Sequence, residues 1–231
     1  GIGTMLMYDH SMSGIQKSTY ASLDLSYNIK IAEGFGKHRL GLGFGTIYGR
    51  RYIDFDRLYT QDQWVGFNGF NRNLPSGEAL TQMKPYFSVS TGLVYTFSTE
   101  KSNLDMGVAA FHVNKPRQTF QQDPNQIIPM RKVAHANFET YLNDNIVLNT
   151  NAIYQFQKEA NYFSAGGALG FFAGDQQGTL LNIGAWWWSK NAIIPYVGVA
   201  YKDFQFGASF DVTTSKLTQA DRKPSTFELS I

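Results

Sequence analysis

Along this chain, segments of about ten residues alternate bulky apolar with small polar side chains, and none reaches the roughly 18 consecutive apolar residues of a membrane helix. In 19–31 one set is Ala21, Leu23, Leu25, Tyr27, Ile29 and Ile31, and the other is Tyr20, Ser22, Asp24, Ser26, Asn28 and Lys30. In 204–211, Phe204, Phe206, Ala208 and Phe210 oppose Gln205, Gly207, Ser209 and Asp211. Successive side chains of a strand point to opposite faces, so each segment has one bulky apolar face and one small, mostly uncharged face. A soluble sheet would bury the first and give the second abundant Lys, Glu and Arg. Serine, glycine, asparagine and glutamine instead suit a crowded, hydrated interior, with the bulky face turned to lipid and aromatics near the strand ends. The expected fold is all-β, an antiparallel transmembrane β-barrel, because hydrocarbon does not tolerate unpaired strand edges.

Turn-rich pieces such as EGFGK, STEKSN, NDN, AGDQQG and KDF separate the segments. The pattern predicts twelve strands, near 1–8, 19–31, 38–52, 86–97, 103–113, 133–142, 146–156, 161–173, 179–189, 192–201, 204–211 and 226–231. No linker divides residues 1–231, so a single barrel domain is expected. The opening GIGTMLMYDH already reads as a strand, which places the expected native start upstream.

Outer-membrane barrels have short periplasmic turns, longer outside loops and a last strand that ends in the periplasm. Counting back from Ile231, the outside connections are 212–225, 190–191, 157–160, 114–132, 53–85 and 9–18. The periplasmic ones are 202–203, 174–178, 143–145, 98–102 and 32–37. The long connections 212–225, 114–132, 53–85 and 9–18 all fall outside. In GAWWWSKN, Trp187 then lies on the lipid face near the headgroups, while Trp186 and Trp188 point inward under the outer mouth, where they are expected to pack the lumen, with a ligand-stacking platform as the alternative.

Lys and Arg total 20 against 18 Asp and Glu, a net charge of +2 that offers no basic face to a nucleic acid. With no cysteine, disulfides and thiol redox chemistry are excluded. GLGFG at 41–45 lacks the lysine ending of a phosphate loop and reads as a strand, its glycines leaving room for aromatics from neighbouring strands or helping the wall bend. His10, His38, His112 and His135 show no metal-site spacing, and His135, Asn137 and Glu139 read as structural hydrogen-bonding groups. Asp24, Asp105, Glu139 and Glu228 face inward by alternation and are expected to pair with inward arginines or lysines. No catalytic, cofactor or metal site is expected, and the chain reads as non-enzymatic.

The connection 53–85 is the most promising surface. It holds Trp64, Phe67 and Phe70 among asparagines and glutamines, the composition of adaptable protein-binding loops. The candidate partner-binding residues are the anchors Trp64, Phe67 and Phe70, with Asp62, Gln63 and Asn68 supplying orientation. A diffusion or small-molecule channel is the alternative, and it would require a continuous wet pathway lined by charge.

Several pieces resemble the PorP/SprF family of outer-membrane proteins: IDFDRLYTQDQW followed by LPSGE, the strand beginning PYFSVSTGLVY, FHVNKPRQTF, and WWWSKNAIIPYVGVAYKDFQFGASFDVTTSKL. The resemblance runs from about residue 19 to the end, and the order and spacing of its pieces make the set specific. It implies a non-enzymatic part of the type IX secretion system and its linked gliding machinery, in the bacterial outer membrane. Members are associated with delivery or retention of secreted surface proteins, some through a C-terminal sorting domain, and with periplasmic lipoprotein partners. They carry roughly two further N-terminal strands, which would bring this chain's twelve to the even number a closed barrel needs, fourteen. RQTF and AHANF depart from the commoner family pattern near 114–135.

Overall fold

The computed structural model describes residues 1–78, 82–119, 123, 125–173, 178–215 and 226–231. Among them the regular structure is β-strand with short 3-10 turns and no α-helix. The strands are β1 (Ile2–Ser11), β2 (Gln16–Glu33), β3 (Lys37–Ile53), β4 (Tyr86–Ser98), β5 (Ser102–Phe111), β6 (Arg131–Asn143) and β7 (Ile146–Gln157). They continue as β8 (Ala160–Ala173), β9 (Thr179–Trp188), β10 (Ala192–Tyr201), β11 (Phe204–Phe210), β12 (Val212–Thr213) and β13 (Phe227–Ser230). Each pairs with its neighbour in sequence from β1 to β11, and β11 then pairs β13, the meander of the antiparallel membrane-barrel class. Among the described ladders none joins β1 to β13.

Thirteen strands stand where twelve are expected, and the reason is local. β10 pairs β11 from Tyr196↔Ser209 to Tyr201↔Phe204, and it pairs β12 at Ile193↔Val212 and Ala192↔Thr213 in unchanged register. The gap coincides with Pro195, which has no N–H to give to the ladder. β12 is therefore the far end of the expected strand 204–211. A second difference corrects the connection 9–18. β1 and β2 zip together as far as Ser11↔Gln16, leaving only a tight turn around Met12–Gly14, with Ser13 and Gly14 at positive φ. It is not a long loop. Residues 174–177 of the connection 174–178 and most of 212–225 lie outside the described residues, as do parts of 53–85 and 114–132.

The contacts divide the chain into two compact units: Gly1–Ser26 with Gly43–Thr91 and Ala110–Met130, and Tyr27–Leu42 with Gly92–Ala109 and Arg131–Ile231. In both, large apolar side chains face away from the protein. In the first, Leu23 and Leu25 are exposed, and in the second so are Ile183, Val197, Phe204 and Phe206. Among the described residues no large side chain is fully buried, while Ser18, Ser88 and Asn182 are buried at 2–8% exposure. A soluble fold distributes its residues the other way round.

In the second unit the three tryptophans have separate surroundings. Trp187 is 50% exposed on the apolar face and meets Phe163 edge-on, with the ring centroids 6.0 Å apart. Trp188 meets Tyr162 edge-on at 5.2 Å on the other face. Trp186 lies along the sheet. The registers place Gly166 of β8 between Trp186 of β9 and Asn151 of β7. The indole crosses the bare glycine and donates its Nε1–H to Asn151 Oδ1 at 2.8 Å. A Cβ on Gly166 would fall 2.6 Å from Trp186 Cδ1.

Other inward expectations are partly revised. GLGFG lies within β3 as a strand. Polar side chains, not aromatics, occupy the space over two of its glycines: Asn28 over Gly41 and Asp24 with Ser90 over Gly45. An aromatic ring, that of Tyr86, covers Gly49 further along. The expected pairing of inward acids with cations is also corrected. Asp24 accepts from Ser22 Oγ at 3.1 Å, and Asp105 accepts from Thr96 Oγ1 at 2.5 Å and Asn103 Nδ2 at 3.0 Å. Neutral donors close by solvate these carboxylates without the cost of desolvating a second charge. Lys30 and Glu33 form an exposed ion pair at 3.5 Å. The histidines are dispersed: His10 bonds Tyr8, His38 bonds Tyr95, His112 bonds Ser88, and the His135 ring lies beside Gly107.

Ile183→Arg on the apolar face should cost about 2–4 kcal/mol in refolding from urea into lipid vesicles. Asn151→Ala, which removes one hydrogen bond, should cost about 0.5–1.5 kcal/mol. Equal sensitivity of the two faces would refute the register. Brominated lipid should quench Trp187 more strongly than Trp188.

Candidate docking loop

The 54–85 connection joins β3 to β4 within the first unit and is folded by its own polar groups. Short 3-10 turns span Phe55–Arg57, Gln61–Gln63 and Gly66–Asn68. Its base is tied to the β1–β2 turn, where Asp54 N–H donates to Ile15 O at 2.9 Å and Arg57 Nη2 to Ser13 O at 3.2 Å. Thr60 Oγ1 donates to Ser76 O at 2.6 Å, drawing the two limbs of the loop together.

Gln63 organises the middle. Its Oε1 accepts the Thr60 N–H at 3.2 Å, its Nε2 donates to Leu74 O at 3.0 Å, and its own carbonyl accepts Asn71 N–H at 2.8 Å. The side chain is 8% exposed, so it shapes the loop from within and presents nothing to a partner. Asp62 has its carboxylate against Gly77, which sits at φ +69° where a side chain would collide with it. These two of the expected orienting residues thus serve the loop's own fold. Asn68 is exposed in the Gly66–Asn68 turn.

Two of the three candidate anchors meet. Trp64 and Phe70 form an isolated antiparallel bridge with their rings edge-on at 4.9 Å. Between them, Gly66 and Gly69 at positive φ turn the chain back, and Val65 N–H donates to Gly69 O at 2.8 Å. Phe67 stands at the tip, fully exposed, while Trp64 and Phe70 are 54% and 47% exposed. Tyr59 and Arg72 extend this surface beyond the residues that composition singled out. Tyr59 lies 4.9 Å from Phe70, and the Arg72 guanidinium sits 4.8 Å over the Tyr59 ring and donates to its hydroxyl at 3.0 Å. The tyrosine within RLYTQDQW is the signal in the sequence that could have found them. Behind them lies a cavity of about 320 Å³ lined by Phe55, Leu58, Thr60, Gln63 and Arg72.

The 112–130 connection, in the same unit, is also tied down at its base. Asn114 bridges two backbone groups of β4, donating to Phe87 O at 2.8 Å and accepting Val89 N–H at 3.1 Å. Further along, Arg117 and Ile127 form a bridge.

Gln63→Ala should leave the Leu74 carbonyl unsatisfied at a cost of about 1–3 kcal/mol, confined to the loop. Gly77→Ala should do the same through its positive φ and the Asp62 contact. Limited proteolysis should nick both variants within 54–85 while global unfolding stays unchanged.

A search of curated proteins returns no match. The family model described as type IX secretion system membrane protein PorP/SprF matches residues 1–231. The fold-class expectation and the resemblance both agree with it, and the chain belongs to the PorP/SprF family of type IX secretion system membrane proteins.

Proposed function

We propose that this protein is an outer-membrane docking platform of the type IX secretion and gliding machinery, holding a secreted surface protein through the 54–85 loop. The observation that carries this reading is the Tyr59–Trp64–Phe67–Phe70 surface: large rings exposed on a loop whose backbone is already fixed. Truncation of buried aromatic anchors dominates the loss of binding energy at interfaces, and preorganisation lowers the entropy cost of ordering them. Trp64, Phe67 and Phe70 are the contact residues, Asn68 and Arg72 give polar direction, and Asp62 and Gln63 hold the loop in shape. The partner's recognised part is a C-terminal sorting domain or a comparable surface of the secreted protein.

Orientation follows from the connections. Those at 54–85 and 112–130 are long, whereas 34–36, 99–101, 144–145 and 202–203 are tight turns. Both long connections leave the same end of the meander, which also carries the tight turns 12–15, 158–159 and 189–191, while the other end has the tight turns at 34–36, 99–101, 144–145 and 202–203. This supports long loops at the cell surface and tight turns in the periplasm. The β2–β3 turn presents Phe35, 96% exposed, beside a cavity lined by Lys37, Arg39, Glu100 and Lys101. That surface suits a periplasmic lipoprotein partner.

Replacing 62–72 by a short Gly/Ser linker should leave the barrel inserted while reducing retention of a secreted protein at the cell surface, measured with barrel levels in the same membranes. Trp64→Ala, Phe67→Ala and Phe70→Ala should each weaken binding by about 1–2 kcal/mol or more. Moderate salt should change this little, because few charges flank the rings. Unchanged retention at normal barrel levels would refute this role for the loop.

A further inference from the structure

On the polar face of the second unit, away from the docking loop, β5, β6, β7 and β9 surround a cavity of about 310 Å³. Its wall holds the carboxylates of Asp105 and Glu139, the amides of Asn103, Asn137, Asn149 and Asn151, and the indole of Trp186. The register aligns these groups in rows. Asn137 is opposite Asn151 and Glu139 opposite Asn149, and beyond Asn151 the row continues through Gly166 to Trp186. The indole is laid across Gly166 and tied to Asn151, meets the Tyr196 ring edge-on at 5.8 Å between centroids, and lines the space above the sheet.

The charge at this cavity is uncompensated. Asp105 receives two hydrogen bonds, both from neutral donors, and Glu139 receives none among the described residues. Among the described residues neither carboxylate has a lysine, arginine or histidine nitrogen within 4 Å. We propose that this cavity binds an organic cation, an ammonium or guanidinium group, stacked on the face of Trp186 with Asp105 and Glu139 as its counter-charges. A cation over an indole face gains electrostatically from the ring quadrupole, most where water is partly excluded. The four amides supply the acceptors that a guanidinium or ammonium, which only donates, requires. A calcium ion needs six to eight oxygens in its first shell, and among the described residues no three acidic or histidine groups converge to begin one. A neutral sugar would stack on the indole and donate hydroxyls to the carboxylates, but it would leave their two negative charges uncompensated. The volume lies at the lower end of the range for small-molecule sites, about 300–1,000 Å³, enough for one arginine-like group. The cation can be a free amine or a side chain carried by a polypeptide segment.

The test uses the whole chain refolded in detergent micelles with 5-fluorotryptophan at its four tryptophans, and the Trp186 fluorine resonance assigned by Trp186→Phe. Arginine amide should move that resonance saturably and leave the Trp187 resonance in place. A short arginine-containing peptide that saturates at lower concentration assigns the site to a polypeptide; equal or weaker binding than arginine amide assigns it to a free cation. Asp105→Asn and Glu139→Gln should each weaken binding at least threefold, and the double variant at least tenfold, with the Trp187 resonance reporting that the fold is intact. Glu139→Asp should restore part of the affinity. In the unaltered protein, added sodium chloride should lower the affinity for arginine amide, so the charge requirement is tested even if a variant fails to fold. Glucose moving the Trp186 resonance as readily as arginine amide would overturn the proposal in favour of a polyol site. Calcium chloride competing at lower concentration than arginine amide would overturn it in favour of a metal. No saturable movement of the Trp186 resonance, or affinity unaffected by salt, would overturn it outright.

Discussion

The structure depends on a solvent that cannot hydrogen-bond. Facing hydrocarbon, a backbone N–H or C=O left without a partner costs several kcal/mol, so each strand must find its ladder in a neighbouring strand. That requirement leads to the sequential antiparallel meander and to the reversal of the usual side-chain distribution. Ile183, Val197 and Phe206 are turned outward, and Ser18, Ser88 and Asn182 are sheltered. The hydrophobic effect still acts, but it acts between side chains and lipid, so neither unit needs a large apolar centre.

Packing on the polar face consequently follows a different rule from that of a soluble core. Its recurring device is a glycine over which a neighbour's long side chain lies: Tyr86 over Gly49, His135 beside Gly107, and Trp186 across Gly166. The missing side chain lets a ring or a carboxylate lie along the sheet and reach a partner one or two strands away. Dispersion contact with bare backbone and one directed hydrogen bond replace the interdigitated aliphatic layers of a water-soluble domain. Charges enter this face sparingly, and short neutral donors hold Asp24 and Asp105 there.

Much of this was legible because period-two alternation is a direct record of which face meets lipid. Leu181, Ile183, Ala185 and Trp187 could be assigned to one side of β9 from spacing alone, and the structure agrees. Strand ends were less legible. Asp9, His10, Gln16, Lys17 and Ser18 have the composition of a loop, yet β1 and β2 carry them into a ladder whose stability comes from pairing and not from residue preference. In the candidate site, the exposed rings were readable as anchors because nothing in the local pattern could bury them. The role of Gln63 was not readable, since a buried amide bonded to Thr60 and Leu74 depends on two limbs of a loop meeting in space. The same holds for Asp62 and Gly77, fifteen residues apart in sequence, where contact needs the return of the chain.

Pro195 interrupts the β10 ladder on the side of β11, while the pairing of β10 with β9 runs through it from Ala192↔Trp188 to Tyr201↔Thr179. On one side of the interruption lies the long stretch of ladder from Tyr196 to Tyr201; on the other, the two pairs that hold Val212 and Thr213, with the N–H groups of Thr214 and Ser215 donating to Asn191 O. The short patch is anchored to its neighbour at the mouth of the connection that follows, and mechanically it is a separate zip. A pull on that connection loads the short patch first and reaches the longer ladder beyond Pro195 only after the patch has opened. Proline here works as a firebreak, sparing the wall from strain applied at its rim.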